Sequence, residues 1–499
     1  MSSAFAHKII AMLSSMLVTA LVAREFGLDG LALFVLATQV ASYAQLAELG
    51  IPTALSRRLP RAIADGDDDA VRRICTASMG ILSIGSLLIL LSIPVVSLGL
   101  PNLLVLSEEQ RRIASLLFGI ILAVTAVQLP LRIGFGVLAS LHRFSTYFSI
   151  ELVALIVKTG VALALLTLAD PSLAVYLSAT LLPITVAAAF EYVRARRALP
   201  VWNIRVSDIS RGVLRELVSL SGAVMLGTFA TAIILQGGGV ALAFFVPPEK
   251  VATFSVPVIL AVSLMAFAAS ASAFLSPIAS QLTGRDDARL RAAVQLSARY
   301  SFALAALIWL GSVSFGPLVL TLWLGADVLT DDAHETMSSV LILASAGLAL
   351  AVPGGTCRGA LVAMGRHWQV ALIELATAVI GLGAAVGLAA SGLWPPVNCF
   401  VASLFASLVL RGALLVRIGF LAGLLDTGET VRDWGRVTLV LLTGLLTMAV
   451  AHAATRDASV WQETISALAA LTLASLAFWF AVVTGPHRRM LLSRLHRTN

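Results

Sequence analysis

The sequence predicts an all-α polytopic membrane protein of about 14 transmembrane helices: two parallel six-helix lobes and two further C-terminal helices. Three observations carry this. Of 499 residues, 59% are apolar and 12% charged, with a mean hydropathy of +0.95. A soluble domain carries roughly 25% charged residues, and half that number cannot cover a solvated surface. The apolar residues fall into runs of about 20, the length that crosses a bilayer core, and fourteen such runs use about 280 residues. A pattern of polar residues in the first half also recurs in the second. A soluble globular protein, a disordered chain and a single-span receptor are excluded.

Runs bounded by charged or Pro/Gly breaks place spans near 5–24, 31–50, 74–99, 113–138, 149–169 and 171–193. The basic stretch RARRALPVWNIRVSDISR separates them from spans near 215–244, 251–275, 297–324, 337–363, 370–393 and 397–416. Two more follow near 436–455 and 464–484, so the domains divide as 1–200, 201–420 and 421–499. The first run has Ser14, Ser15 and Thr19 in its second half and a span directly after it, which favours an uncleaved helix over a signal peptide. The segments ADGDDDAVRR and TGRDDARLR read as short cytoplasmic helices, with acids in the first turn and Arg in the last as the helix dipole prefers. Gln236, Gly237, Gly238 and Gly239 weaken the seventh span and permit a bend or close packing.

The repeat is specific. Pro130, Gly136, Leu138, Arg143, Ile150, Glu151 and Leu152 recur 223 residues later as Pro353, Gly359, Leu361, Arg366, Ile373, Glu374 and Leu375. Gly66, Asp68, Asp69, Ala70 and Arg73 recur at an offset of 218 as Gly284, Asp286, Asp287, Ala288 and Arg291. An even number of spans separates the copies, so the lobes run parallel about an axis along the membrane normal. With the N-terminus inside, 26 of the 34 Lys and Arg fall on the cytoplasmic side, 5 outside and 3 (Arg132, Lys158, Arg358) within spans. The positive-inside rule then sets both termini in the cytoplasm.

The net charge of +7 and the pI near 9.8 reflect these loop arginines, which face anionic lipid rather than nucleic acid. Cys75, Cys357 and Cys399 lie in or beside apolar runs at no paired spacing, and no two His stand at ligand spacing. No metal and no cofactor is expected. The loops are short and carry no P-loop, GxSxG or paired ligand motif, so the chain reads as a non-enzyme.

Charges inside spans are costly and usually face a partner or a cavity. Arg358 and Glu374 stand eight residues to either side of Arg366, at similar depth in a helical hairpin. Arg132 and Glu151 flank the equivalent turn in the first lobe, with Arg132 one turn deeper. The repetition suggests an ion pair holding each hairpin, or pairs that exchange partners when an anionic head group arrives. Lys158 lies about midway along its span, has no acid three or four residues away, and corresponds to Gly381 in the repeat. It needs water, a carboxylate on another helix or an anionic ligand. Arg24 and Glu48, near the ends of the first two spans, are further candidates; Arg57 and Arg58 snorkel at the cytoplasmic mouth. Gln39, Gln45, Gln128 and Gln236 could hydrogen-bond sugar hydroxyls.

The opening VAREFGLDGLALFVLATQV and LAELGIPTALSRRLPRAIADGD resembles the polysaccharide-flippase branch of the multidrug/oligosaccharidyl-lipid/polysaccharide exporter superfamily. The resemblance rests on Arg24, Gly27, Gly30 and Phe34, then on Glu48, Leu49, Gly50, Arg57 and Arg58, and on the loop LASLHRFSTYFSIE. It implies two lobes around a central cavity that opens alternately to either side. It also implies a cargo: an undecaprenyl-pyrophosphate-linked oligosaccharide moved to the periplasmic leaflet of a bacterial inner membrane for O-antigen or exopolysaccharide assembly. Cationic residues (Lys158, Arg24, Arg132, Arg358) would meet the pyrophosphate, with Glu48, Glu151 and Glu374 as gating or ion-pair partners. Membrane lipids, a polysaccharide polymerase and other assembly proteins would be its partners. Two alternatives are a drug or metabolite antiporter of the same superfamily, normally with twelve spans, and a non-transporting scaffold of a polysaccharide assembly complex.

Overall fold

In lipid, backbone N–H and C=O groups must be satisfied within the spanning segment, which turns long apolar runs into helices. The computed structural model describes residues 2–202, 211–273, 286–454 and 471–478, with the single positions 279, 282, 468, 469 and 482. Among them every long regular element is helical, and 11 helices are long and apolar enough to cross a membrane. The expected last span near 464–484 lies largely outside the described residues, as do the basic stretches 203–210 and 483–499.

The first two expected spans share α1 (Ser2–Ala44), two helices meeting at Gly27, whose φ of 67° and ψ of −173° suit only glycine. After a turn through Glu48 comes α2 (Ile51–Ala64), which buries Ile51, Ala54, Leu55, Leu59 and Ala62 at helical spacing. Next is α3 (Asp68–Leu103), with a π-helical turn at Val95–Gly99. The first unit continues with α4 (Glu108–Ser140), α5 (Phe144–Leu168) and α6 (Leu173–Ala198). The seventh, α7, is Arg211–Ala232 followed by a π-helical turn at Ile233–Gly237 and by Gly238–Leu242; the glycine run packs closely, since a Cβ on Gly239 would lie 2.5 Å from Gln39 and Ser255. There follow α8 (Pro248–Ala273), α9 (Asp287–Leu324), α10 (Asp331–Ala363), α11 (His367–Ser391), α12 (Pro396–Leu421) and α13 (Thr427–Ala454).

The acid-rich segments are not separate helices. Asp67 Oδ1 accepts from Ala70 N at 2.8 Å and caps α3, and Asp286 Oδ1 accepts from Arg289 N at 3.0 Å and caps α9. An N-cap carboxylate satisfies free N–H groups of the first turn, so each segment becomes the start of a membrane helix. The interhelical turns repeat in detail: Arg143 N donates to Leu138 O and Arg366 N to Leu361 O, both at 2.9 Å.

Two compact units form. The first contains Met1–Ser255, Trp323–Thr330 and Ala385–Phe400; the second contains Val256–Leu322, Asp331–Ala384 and Val401–Asn499. In the first, α5 packs on α6 and α1, and α3 on α4, around the fully buried Tyr176, which takes Phe26 and Phe34 edge-on at 5.9 and 6.5 Å. In the second, α13 is tied to α9 by polar contacts. Gln295 Nε2 donates to Thr430 Oγ1 at 3.1 Å, and Arg299 lies 3.2 Å from Asp433, with side chains 10% and 9% exposed. Arg299 also donates to the Val482 carbonyl. Counting charges by loop puts Arg299 at the cytoplasmic flank; the structure instead buries it twelve residues past Asp287, the first residue of α9, where a carboxylate from α13 compensates its desolvation.

Candidate functional site

Besides the Arg299–Asp433 pair, each unit brings together a cluster of the ionisable side chains singled out in the sequence. In the first, Pro130 removes a backbone donor and α4 breaks at Arg132 between Glu108–Leu131 and Ile133–Ser140. Arg132 Nε lies 3.4 Å from Glu48 Oε2. Glu48 itself ends a 3-10 turn, Gln45–Glu48, and is followed by Leu49 and Gly50 at φ 53° and 68°. A leucine in the left-handed region is strained; here it turns the chain out of α1 and leaves the Glu48 carboxylate at the break in α4.

Glu151, on α5, does not meet Arg132 directly. Its side chain lies beside that of Glu191 on α6, with Arg132 in electrostatic reach of Glu191. The expected first-lobe hairpin pair is therefore replaced by two contacts, Arg132–Glu48 and Glu151–Glu191. The reason is local. Gly134 lets α4 approach α6 so closely that a Cβ there would lie 2.7 Å from Tyr192 N and 2.9 Å from the Glu191 carbonyl carbon. That contact brings Glu191 to Glu151, while Arg132, one turn deeper, finds Glu48. Glu191 is 4% exposed, and its Oε1 has no hydrogen-bond partner among the described residues. Tyr147, one turn before Glu151, completes the cluster and meets Phe135 at a tilt of 47°, with centroids 4.5 Å apart.

In the second unit Arg358 Nε lies 2.8 Å from Glu374 Oε1, the pair expected from their symmetric spacing about Arg366. Glu374 is 2% exposed, and its second oxygen, Oε2, has no hydrogen bond among the described residues. Arg411, on α12, stands in electrostatic reach of both. Close packing of α10 on α12 allows this, since a Cβ on Gly354 would sit 2.7 Å from Gly412 O. Arg358 and Arg411 both line a cavity of about 460 Å³ whose other walls are the apolar and small faces of α8 and α10, including Val262, Met265, Leu348 and Val352. Two guanidiniums against one carboxylate leave a formal positive excess in an otherwise apolar space. Cavities of this size and make-up take ligands with an apolar body and a charged head.

Breaking the second pair is expected to act unequally. Arg358 is 45% exposed on its side chain and Glu374 3%. Arg358→Ala strands a buried carboxylate and should lower protein abundance more than Glu374→Gln, which strands a guanidinium that reaches solvent. Removing both should recover most of the loss; Arg411 remains near Glu374, so the single loss stays below the roughly 3–5 kcal/mol of a fully buried pair. Membrane abundance measured by immunoblot checks the order, and equal losses from the two single changes would contradict it.

The remaining candidates lie apart from both clusters. Lys158 is half-buried in α5 and has neither ion pair nor hydrogen bond among the described residues; its neighbour Thr159 bonds Ser14 of α1 at 2.7 Å. Its counterpart Gly381 is filled by Ser407 instead. Arg24 is exposed and lies over Gly325, where a Cβ would be 3.5 Å from its Nε. Gln39 is buried and donates to Ser255 at 3.4 Å, and Gln128 to Thr185 at 2.8 Å. The side chain of Arg57 lies outside the described residues. Sequence reasoning missed Arg411 and Glu191. For Arg411 the signal was present: the apolar run continues ten residues past it, to Leu421, so it lies within the helix rather than at its flank.

Residues 1–283 match the family described as "Polysaccharide biosynthesis protein". No curated protein matches the chain. Among solved structures, the lipid II flippase MurJ in an inward closed conformation is similar over 96% of this chain and 98% of that one, at 11% identity and a TM-score of 0.70. A multidrug resistance MATE family transporter of the MOP superfamily, inward-facing, covers 83% of this chain and 95% of its own at 15% identity and a TM-score of 0.66. The Vibrio cholerae MATE transporter VcmN in its bent form covers 85% and 95% at 15% identity, with a TM-score of 0.57. At these identities the likeness is one of fold: the helices of this chain take the arrangement of MOP-superfamily transporters.

Proposed function

The chain belongs to the polysaccharide biosynthesis protein family, and from that premise we propose that it is a transporter that flips a lipid-linked oligosaccharide. The cargo is an undecaprenyl-pyrophosphate-linked glycan moved from the cytoplasmic to the periplasmic leaflet of a bacterial inner membrane by alternating access, for O-antigen or exopolysaccharide assembly. Both termini face the cytoplasm in this reading, as the distribution of loop arginines favours. The observation that carries it is the cavity in the second unit. Arg358 and Arg411 present two guanidiniums to a space walled by apolar helix faces, which suits a phosphoryl head attached to a hydrocarbon chain. Glu374 holds Arg358 in the absence of cargo and gives it up when the pyrophosphate arrives; Glu48 serves as the corresponding partner of Arg132 in the first unit, with Glu151 nearby beside Glu191.

Extent of similarity favours a flippase over a drug antiporter. The match to the lipid II flippase spans 96% of the chain, whereas that to the MATE transporter spans 83%. The experiment is deletion of the gene in its own host. The lipid-linked oligosaccharide should accumulate on the cytoplasmic leaflet while surface or secreted polysaccharide falls. Unchanged polysaccharide with no accumulation would rule the reading out.

Lys158 tests it at one residue. A half-buried ammonium with no protein partner among the described residues meets water or an anion. Lys158→Ala should leave the protein at normal abundance and lower polysaccharide output several-fold, and Lys158→Arg should restore part of it. Loss of the folded protein would instead make Lys158 a structural residue, and unchanged output at equal abundance would remove it from transport.

A further inference from the structure

A second cavity, of about 290 Å³, lies in the first unit where the α4–α5 turn meets the C-terminal end of α6, and three arginines line it: Arg143, Arg194 and Arg197, beside Thr146. Three arginines at the ends of other helices have a partner close by in sequence. Arg72 pairs with Asp69, Arg111 with Glu108 and Arg289 with Asp286, each with an acid three residues before it. The three cavity arginines have no carboxylate partner among the described residues, and no acid lines the space between them. Like charges gathered at one cavity repel unless an anion joins them.

The turn that supplies Arg143 is also built against its own preference. At the equivalent turn of the second unit the left-handed position is Gly365, at φ 80°; in the first unit it is His142, at φ 55°. The same backbone bond, Arg143 N to Leu138 O, closes the turn regardless of that cost. Arg194 is in turn held over the Phe190 ring, 5.2 Å from its centroid. Helix, turn and ring thus present three guanidiniums to one small, mainly polar space.

We propose that Arg143, Arg194 and Arg197 form a binding site for a phosphoryl group, distinct from the cavity of Arg358 and Arg411. Guanidiniums bind phosphate oxygens through paired N–H donors, and Thr146 adds a hydroxyl. Two sources share this chemistry: the phosphate of an acidic phospholipid head group, and a free phosphate or pyrophosphate. Basic pockets between membrane helices take lipid head groups by the same attraction. The site does not depend on the transport reading, because it concerns binding alone.

Purified full-length protein is titrated in detergent with phosphatidylglycerol, with phosphatidylcholine and with inorganic pyrophosphate, and binding is read by native mass spectrometry. Arg143→Gln, Arg194→Gln and Arg197→Gln should each weaken phosphatidylglycerol binding by about fivefold, the effect of one basic residue near a phosphate. Arg196→Gln is the control: it removes an equally exposed charge from the same helix turn, but Arg196 does not line the cavity. Arg194→Lys should retain part of the affinity. If pyrophosphate alone binds and responds to the same variants, the soluble anion can occupy the site. If only the lipid does, the head group is its ligand. Losses from Arg196→Gln as large as from the lining residues, or no loss from any variant, would overturn the proposal.

Discussion

Arg411→Ala is expected to leave the protein at normal abundance in the membrane and to lower transport of the lipid-linked oligosaccharide by about 10- to 150-fold. The figure corresponds to the roughly 1.5–3 kcal/mol of a hydrogen bond to a charged group, here the proposed contact of the guanidinium with the pyrophosphate. Abundance should hold because Arg411 makes neither ion pair nor hydrogen bond among the described residues, while Glu374 keeps Arg358 at 2.8 Å. Arg411→Lys should fall between the two, since it keeps the charge and loses the planar fork. Polysaccharide output normalised to immunoblotted protein measures this. A variant that is abundant and fully active would remove Arg411 from the cargo path.

The second large effect is on folding. Arg299 and Asp433 are both about nine-tenths buried and 3.2 Å apart. Asp433→Asn leaves the guanidinium buried with no negative charge against it, only neutral acceptors such as the Val482 carbonyl, and Arg299 Nε already lacks a partner. Losing one member of such a pair costs about 3–5 kcal/mol, whereas replacing both by apolar residues of similar volume is often neutral. Asp433→Asn should therefore markedly lower the thermal unfolding temperature of the purified protein, and Arg299→Met with Asp433→Leu should restore most of it. Additive losses in the double variant would mean that the two residues do not act as a pair. Activity gives a further readout: the pair fastens α13 to α9 and lies apart from the cavity lining, so any surviving folded Asp433→Asn protein should still transport.

Much of this architecture was legible in the chain. Helix-length apolar runs correspond to spans because lipid leaves the backbone little alternative, and even the matching turns at Arg143 and Arg366 could be read as a repeat. The Arg358–Glu374 contact followed from symmetric spacing, because a hairpin brings equidistant residues to the same depth. The same logic failed for Arg132 and Glu151. Pro130 breaks α4 beside Arg132, and Gly134 admits α6, so the partner of each is a residue remote in sequence: Glu48 and Glu191. One-dimensional spacing reports contacts within a hairpin and is silent about a third helix. Arg411 and Arg299 were obscured by the positive-inside rule itself, which assigns an arginine near the end of a run to the loop. The apolar residues beyond Arg411 were the available signal.

The central claim is that the chain moves a pyrophosphate-linked lipid across a bilayer through residues that include Arg358 and Arg411. It is tested most directly in vesicles reconstituted with the purified protein, carrying a fluorescent undecaprenyl-pyrophosphate oligosaccharide in both leaflets, to which a membrane-impermeant reductant is added. Protein-free vesicles should lose only the outer-leaflet fluorescence. Vesicles with the wild-type protein should lose the inner-leaflet fraction as well, and those with Arg411→Ala should resemble the protein-free control. Equal bleaching with and without protein, or full inner-leaflet loss in the Arg411→Ala vesicles, would contradict the account.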